Sequence, residues 1–352
     1  MRSQVEKSAR IGSIKSRRNN MPGKQVTELE ALPSFTDTSL LPVHNGAGLK
    51  KGLLSKLVEY LSTKFSNPNL LINPDFKVNQ RGLTTYNETD YSFDRWKIYN
   101  TTVKQLGNGI SYKGGSTTTN SLGTLENYIS QILENELNEE FTISVKVSSI
   151  VGSFRLEAMK EGGSTLHGKD ALIGKKDITT NGIHTLTLDG SSTPLSIIRF
   201  GTTSQNGACT IEWVKLEKGK HATAFIHPIY SEEYQKCMWY FQPITGARSG
   251  FFSDSKIYLN IPEVNSMRIS KPSVDSSNIT LEGWIYTGAS TDAINVERSD
   301  ITNASVDKYK ELALTPSSAL LSKLSQRGGS TISYVIKVGG GINLDAEIYD
   351  DE

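Results

Sequence analysis

Residues 141–148, FTISVKVS, alternate apolar and polar side chains without a break: Phe141, Ile143, Val145 and Val147 stand against Thr142, Ser144, Lys146 and Ser148. Successive side chains of a strand point to opposite faces of its sheet, so a period of two predicts a half-buried strand with one apolar face. Comparable runs follow at residues 185–188, 195–200 and 209–216, and the Asn181-Gly182 and Asn206-Gly207 pairs between such runs are tight-turn sequences. A bias towards Ser, Thr, Asn and Gly, residues of turns and polar strand faces, points the same way. Residues 125–137 stay open between two readings. Ile129, Ile132, Leu133 and Leu137 have helical spacing among acidic residues, yet a strand fits as well.

The chain has 352 residues, 36% of them apolar and 8% aromatic, enough for two or three domains of the usual ~100–200 residues with a core in each. A wholly disordered chain is excluded. Its 38 Lys and Arg against 37 Asp and Glu, a net charge of +1, leave no broad basic field to displace phosphate counterions, so nucleic acid is not an expected partner. No apolar run reaches the ~20 residues that cross a bilayer, and the first residues lack the apolar core of a signal peptide. Neither membrane insertion nor signal-peptide export is expected. The two cysteines, Cys209 and Cys237, are too few for a disulfide framework or a CxxC zinc site and read as reduced core thiols.

Basic charge gathers at the start of the chain, where Arg2, Lys7, Arg10, Lys15, Arg17, Arg18 and Lys24 meet only Glu6. A segment this polar cannot offset the ~1–2 kcal/mol per residue of backbone ordering, so a flexible arm is expected. A solvated tail without a role and an anchor that orders on a partner surface both stay open, ahead of nucleic-acid binding, for which no aromatic residues are interleaved. Beyond it Leu29, Leu32, Phe35, Leu40, Leu41 and Val43 lead to His44-Asn45-Gly46-Ala47-Gly48, after which Leu49, Leu53, Leu54, Leu57, Val58 and Leu61 recur at three- and four-residue intervals. That spacing predicts an amphipathic helix. Asn67-Pro68 ends it, because the residue before proline is pushed out of the α region.

Two blocks carry a resemblance. ELEALPSFTDTSLLPVHNGAGLKKGLLSKLVEYL is similar to the short adaptors near the N-termini of bacteriophage tail and head fibres. NLLINPDFKVNQRG, then YSFDRW, and finally IEWVKLEKGKHATAFIHPIYSEEYQKCMWYFQ resemble the opening and closing of a jelly-roll domain of phage fibre and spike proteins, itself similar to carbohydrate-binding modules. In physical terms Asn73-Pro74 opens a first strand with Phe76 and Val78 facing inward, Arg81-Gly82 ends it, and Asp94 and Arg95 form a cross-strand charge pair beside Trp96. The region matching residues 125–137 is extended in such proteins. Downstream, β-rich runs at residues 257–261, 267–269, 279–286, 332–338 and 342–349 follow, and IPEVNSMRISKPSV and INLDAEI resemble the domain after the jelly roll.

The expected fold is therefore mainly β: a flexible basic arm over residues 1–25, a short helical adaptor over 26–66, and two β-sandwich, jelly-roll-like domains over 67–236 and 237–352. The resemblance implies a virion protein forming a homotrimer, anchored by Arg2, Lys7, Arg10, Lys15, Arg17, Arg18 and Lys24 to a capsid, portal or tail protein, and displaying its distal domains for host glycan adhesion. A non-adhesive head-fibre scaffold and a glycan depolymerase are the alternatives.

Chemistry is sparse. GSTLHGKD, residues 163–170, imitates a phosphate loop but ends on Asp170, where a magnesium-binding hydroxyl is needed. His44, His167, His184, His221 and His227 lack metal-ligand spacing, so no metal and no cofactor are expected. The carboxylate pairs Asp90 with Asp94 and Glu282 with Asp292 have the residue type for glycoside hydrolysis but read better as solvated strand ends or a calcium site. Aromatic rings stack on sugar faces, which makes Trp284, Tyr286, Tyr91 and Tyr99 the candidate ligand-binding residues, whereas Trp96 and Trp213 read as core. No enzymatic activity is expected.

Overall fold

The computed structural model describes residues 40–44, 49–53, 57, 61, 65–116, 118–120, 123–160, 171–253, 255–262, 267–269, 272–275, 281–286, 291–296, 298–307, 309–325 and 334–347. The basic residues Arg2, Lys7, Arg10, Lys15, Arg17, Arg18 and Lys24 and the loop-like motif at 163–170 lie outside them. The chain divides into two units, Met1–Tyr60 and Leu61–Glu352.

In the first unit β1 (Leu40–His44) and β2 (Leu49–Leu53) form an antiparallel pair, with Leu40 opposite Leu53 and His44 opposite Leu49. This corrects the helix expected to begin at Leu49. The run 40–43 supplies a pairing partner, and Gly52 weakens a helix at that point. Helical geometry is found further on, at Leu57 and Leu61.

In the second unit the sandwich is built from β3 (Thr85–Tyr86), β4 (Lys97–Tyr99), β5 (Thr101–Gln105), β6 (Ile110–Gly114), β7 (Tyr128–Leu137), β8 (Glu140–Val151), β9 (Phe154–Lys160), β10 (Ala171–Ile178), β11 (Gly182–Asp189), β12 (Leu195–Thr202) and β13 (Ala208–Lys218). Two antiparallel sheets, β10-β9-β12-β7-β4 and β11-β8-β13-β6-β5-β3, share one core. FTISVKVS lies in β8, and Phe141, Ile143, Val145 and Val147 all point into that core. Its polar face is less open than alternation implies. Thr142 and Ser144 are buried too, and the Thr142 hydroxyl donates to the Gly219 carbonyl at 2.8 Å. Of residues 125–137, Tyr128–Leu137 resolve as strand β7, with Ile129 in the core that also holds Phe154 and Phe200, whose rings stack at 5.5 Å.

The opening segment behaves differently from expectation. Residues 65–84 contain no strand, although Phe76 and Val78 are buried as predicted. The segment follows β13 through single hydrogen bonds instead: Leu70 N–H to the Leu216 carbonyl, and Val214 N–H to the Pro74 carbonyl. Left-handed backbone at Asn73 and Phe76, φ 54° and 59°, interrupts any regular pairing.

Helix α1 (Tyr230–Met238) leads to the C-terminal strands β14 (Phe241–Ser253), β15 (Lys256–Asn260), β16 (Ser273–Asp275), β17 (Leu281–Tyr286), β18 (Thr291–Val296), β19 (Ile301–Val306), β20 (Glu311–Pro316) and, after α2 (Ser318–Ser325), β21 (Tyr334–Asp345). They form one eight-stranded antiparallel sheet, ordered β18-β17-β21-β14-β15-β20-β19 with β16 also on β21. The sheet curls enough for β16 to approach β19. Leu259, Leu312, Leu314, Ile342 and Leu344 fill the core it encloses. Residues 267–269, expected as a strand, form a bend, because the Arg268 N–H is taken by the Trp239 carbonyl and its guanidinium by the Ala346 and Glu347 carbonyls.

Candidate ligand-binding site

The junction between the sandwich and the C-terminal sheet is polar, with Arg95 and Glu347 buried in it. Trp96, fully buried, donates its indole N–H to the Asn73 carbonyl at 2.7 Å and fixes the 91–96 loop. Beside it Arg95, at φ 71°, turns its side chain across the junction. Arg95 Nη1 donates to Glu347 Oε2 at 2.7 Å, Nη2 to the Ile132 carbonyl at 2.7 Å, and the guanidinium lies 3.7 Å from the centre of the Tyr240 ring. The backbone N–H of Arg95 reaches Glu347 Oε1 at 3.0 Å, so both oxygens of this buried carboxylate are engaged. Tyr240 donates its hydroxyl to Glu134 at 3.0 Å, and burial pushes its pKa up to about 12.

This corrects the expected Asp94–Arg95 pair. Asp94 turns the other way and accepts from the backbone and side-chain nitrogens of Gln80, both at 2.7 Å, with burial raising its pKa. Arg81 completes the junction. Its Nη2 lies 3.1 Å from Asp345 and its Nη1 3.6 Å from Glu347, while the guanidinium sits 4.0 Å from the Phe241 ring and 5.6 Å from the Tyr91 ring.

Next to Arg81 a cleft of about 590 Å³ opens. The sandwich contributes Leu83, Thr85, Tyr86, Asn87, Glu88, Asp90 and Tyr91 to its lining, and the C-terminal sheet contributes Phe241, Ser273, Asp275, Asn343 and Asp345. Asn87, Glu88, Asp90 and Asp275 are exposed. Asn343 extends its side-chain amide to Asp275 at 3.5 Å. Its accessible groups are amides, hydroxyls and carboxylates from both sides, while the lining aromatics Tyr86, Tyr91 and Phe241 are buried, so the cleft offers hydrogen-bonding groups and no open stacking face.

Of the predicted residues, Tyr91 lies in this lining, but only 5% of it is exposed, so its ring supports Arg81 instead of offering an open stacking face. Tyr99 belongs elsewhere. It is half-buried on β4 and stacks on Tyr128 of β7 at 5.4 Å, with Arg199 held 4.5 Å from the same Tyr128 ring. Trp284 and Tyr286 lie on β17, whose backbone is described while their side chains fall outside the described residues. The Asp90 and Asp94 carboxylates do not share a cleft, since Asp94 is buried against Gln80. Glu282 and Asp292 stand opposite Asn295 and Ile285, three positions out of register. Among the described residues no group of three or more His, Cys, Asp or Glu is arranged to hold a metal, and no helix is long and apolar enough to cross a membrane. Cys209 and Cys237 are unpaired and buried, and burial pushes both thiols well above their ordinary range.

Arg81, Asn343, Asp345 and Glu347 are site residues that the sequence reading does not single out. Arg81 and Asp345 are 264 positions apart, and Arg95 and Glu347 are 252 apart. The one signal for them in the sequence is that NQRG and INLDAEI both belong to the blocks carrying the phage-protein resemblance.

No protein-family model matches the chain, and no curated protein matches it. Among solved structures, a proposed sugar-binding protein from Bacteroides thetaiotaomicron VPI-5482 aligns over 43% of this chain and 100% of its own, at 12% identity and a TM-score of 0.31. The N-terminal CBM22-1-CBM22-2 tandem domain of Xyn10C from Paenibacillus barcinonensis aligns over 80% of this chain and 98% of its own, at 11% identity and a TM-score of 0.28. The β-sandwich assignment stands on this chain's own sheet order and shared core.

Proposed function

We propose that the protein is a non-enzymatic adhesive protein of a phage particle, held on the virion by its basic N-terminal arm and binding a host-surface glycan in the cleft between its two β-domains. The observation that carries the binding half is the cleft itself, lined by amides and carboxylates from both domains. Virion attachment and trimer formation rest on the likeness of the adaptor to phage fibre adaptors. Several copies on one particle would add individually weak contacts into firm attachment.

A glycan array with the purified protein tests the reading. Binding that weakens by about 0.5–1.5 kcal/mol for each of Asn87→Ala and Asn343→Ala supports it, the usual net value of a neutral hydrogen bond. Release of oligosaccharide from host envelope would instead make the protein a depolymerase, and silence on the array would leave a scaffold. Deleting residues 1–24 is expected to abolish incorporation into virions, read by antibody labelling of particles.

A further inference from the structure

Resting on the reading of the cleft as a glycan site, we infer that the cleft selects saccharides bearing free amino groups and rejects anionic ones. Among the described lining residues four carboxylates, Glu88, Asp90, Asp275 and Asp345, face a single cation, Arg81. That cation is already engaged: Asp345 holds Nη2 at 3.1 Å, Glu347 lies 3.6 Å from Nη1, and the Phe241 ring covers the guanidinium at 4.0 Å. An incoming carboxylate or phosphate would have to compete with two resident carboxylates for it. Glu88 and Asp90 on one wall and Asp275 on the other are exposed towards solvent, so an ammonium group placed between the walls meets negative charge from both domains. Asn87 and Asn343 supply the donors and acceptors that ring hydroxyls require. Complementary charge of this kind acts mainly on selectivity and approach, and like charge is penalised.

The test compares three oligosaccharide probes of equal length by calorimetric titration of the full chain: glucosamine oligomers, their N-acetylated counterparts, and galacturonate oligomers. The expected result is binding of the glucosamine oligomer on the order of tenfold more tightly than the N-acetylated one, weakened by added salt, with the galacturonate weakest. The preference should disappear in the Glu88→Gln, Asp90→Asn, Asp275→Asn triple variant and persist in Glu140→Gln, an exposed carboxylate away from the cleft. Circular dichroism confirms that each variant is folded. Equal binding of amine and N-acetyl forms, tighter galacturonate binding, or an equal loss of preference in Glu140→Gln overturns the selectivity while leaving the glycan reading to the array. Binding of none of the three probes also overturns it, and an array signal that remains sensitive to Asn343→Ala then shows that only the selectivity has failed.

Discussion

Arg95 concentrates the energetics of the junction, because it is buried, charged and joined to a carboxylate that is equally buried. Removing one partner of such a pair strands the other in a medium that solvates it poorly. Arg95→Met is therefore expected to cost about 3–5 kcal/mol, read by urea unfolding. Glu347→Gln in the same background should cost much less than it does alone, since the two residues share one interaction. Glu157 makes a prediction about pH. It is fully buried on β9, accepts from the Leu125 N–H at 3.2 Å, and burial raises its pKa despite the neighbouring Arg199 and Arg155. A raised carboxyl pKa means that the folded state holds its proton longer than the unfolded one. This group's contribution to stability is thus greatest in acid and falls as pH rises from the unfolded value near ~4 through the raised folded value. Glu157→Gln removes that dependence. Its stability relative to the parent should increase as pH rises above about 4, checked by denaturant midpoints over a pH series.

Strands with clean alternation are legible in the amino-acid sequence, and those without it are not. Phe141, Ile143, Val145 and Val147 point to β8 directly because a two-residue period leaves one interpretation. Leu49 and Leu53 mislead because a spacing of four also fits two residues on the same face of a strand, and the decision falls to a partner at Leu40 that local periodicity does not see. The cleft is less legible still. Tyr91 is within reach as an aromatic near a turn, but whether its ring is open or covered depends on Arg81 and on a sheet more than a hundred residues downstream. Gly201 shows how tightly the elements are set. It stands opposite Tyr128 in the β12–β7 pairing, and a Cβ there would lie 1.9 Å from the Asn127 carbonyl oxygen. Gly201→Ala must push β7 away from β12. A loss of about 1–3 kcal/mol is expected, read as a lowered midpoint of thermal unfolding.

Across residues 61–352 the sandwich and the C-terminal sheet meet at a junction built on a buried ion pair and on hydrogen bonds from both sides. Arg95 donates to the Ile132 carbonyl of the sandwich and to Glu347 after β21, Gln80 donates to the Phe241 carbonyl, and Tyr240 donates to Glu134. None of these contacts can be kept if either domain unfolds alone. Scanning calorimetry of the full chain should show the sandwich and the C-terminal sheet melting in a single transition, and Arg95→Met should separate it into two. A ligand touching both walls of the cleft would then raise the single transition as a whole, since binding only the folded form stabilises whatever unfolds with it.

The distance along the chain between Arg95 and Glu347 also sets a clock. The sandwich can close as soon as β13 has been made, but its most demanding charge must wait for a carboxylate 252 residues later. From the end of β13 at Lys218 to Glu347 is 129 residues, and at the usual ~5–20 residues per second of synthesis that interval is roughly 6–26 s. During it the nascent sandwich carries an uncompensated guanidinium at the surface that will become the junction, kept in water until its partner arrives. Glu347 therefore supplies the countercharge that the sandwich still lacks when its last strand is made.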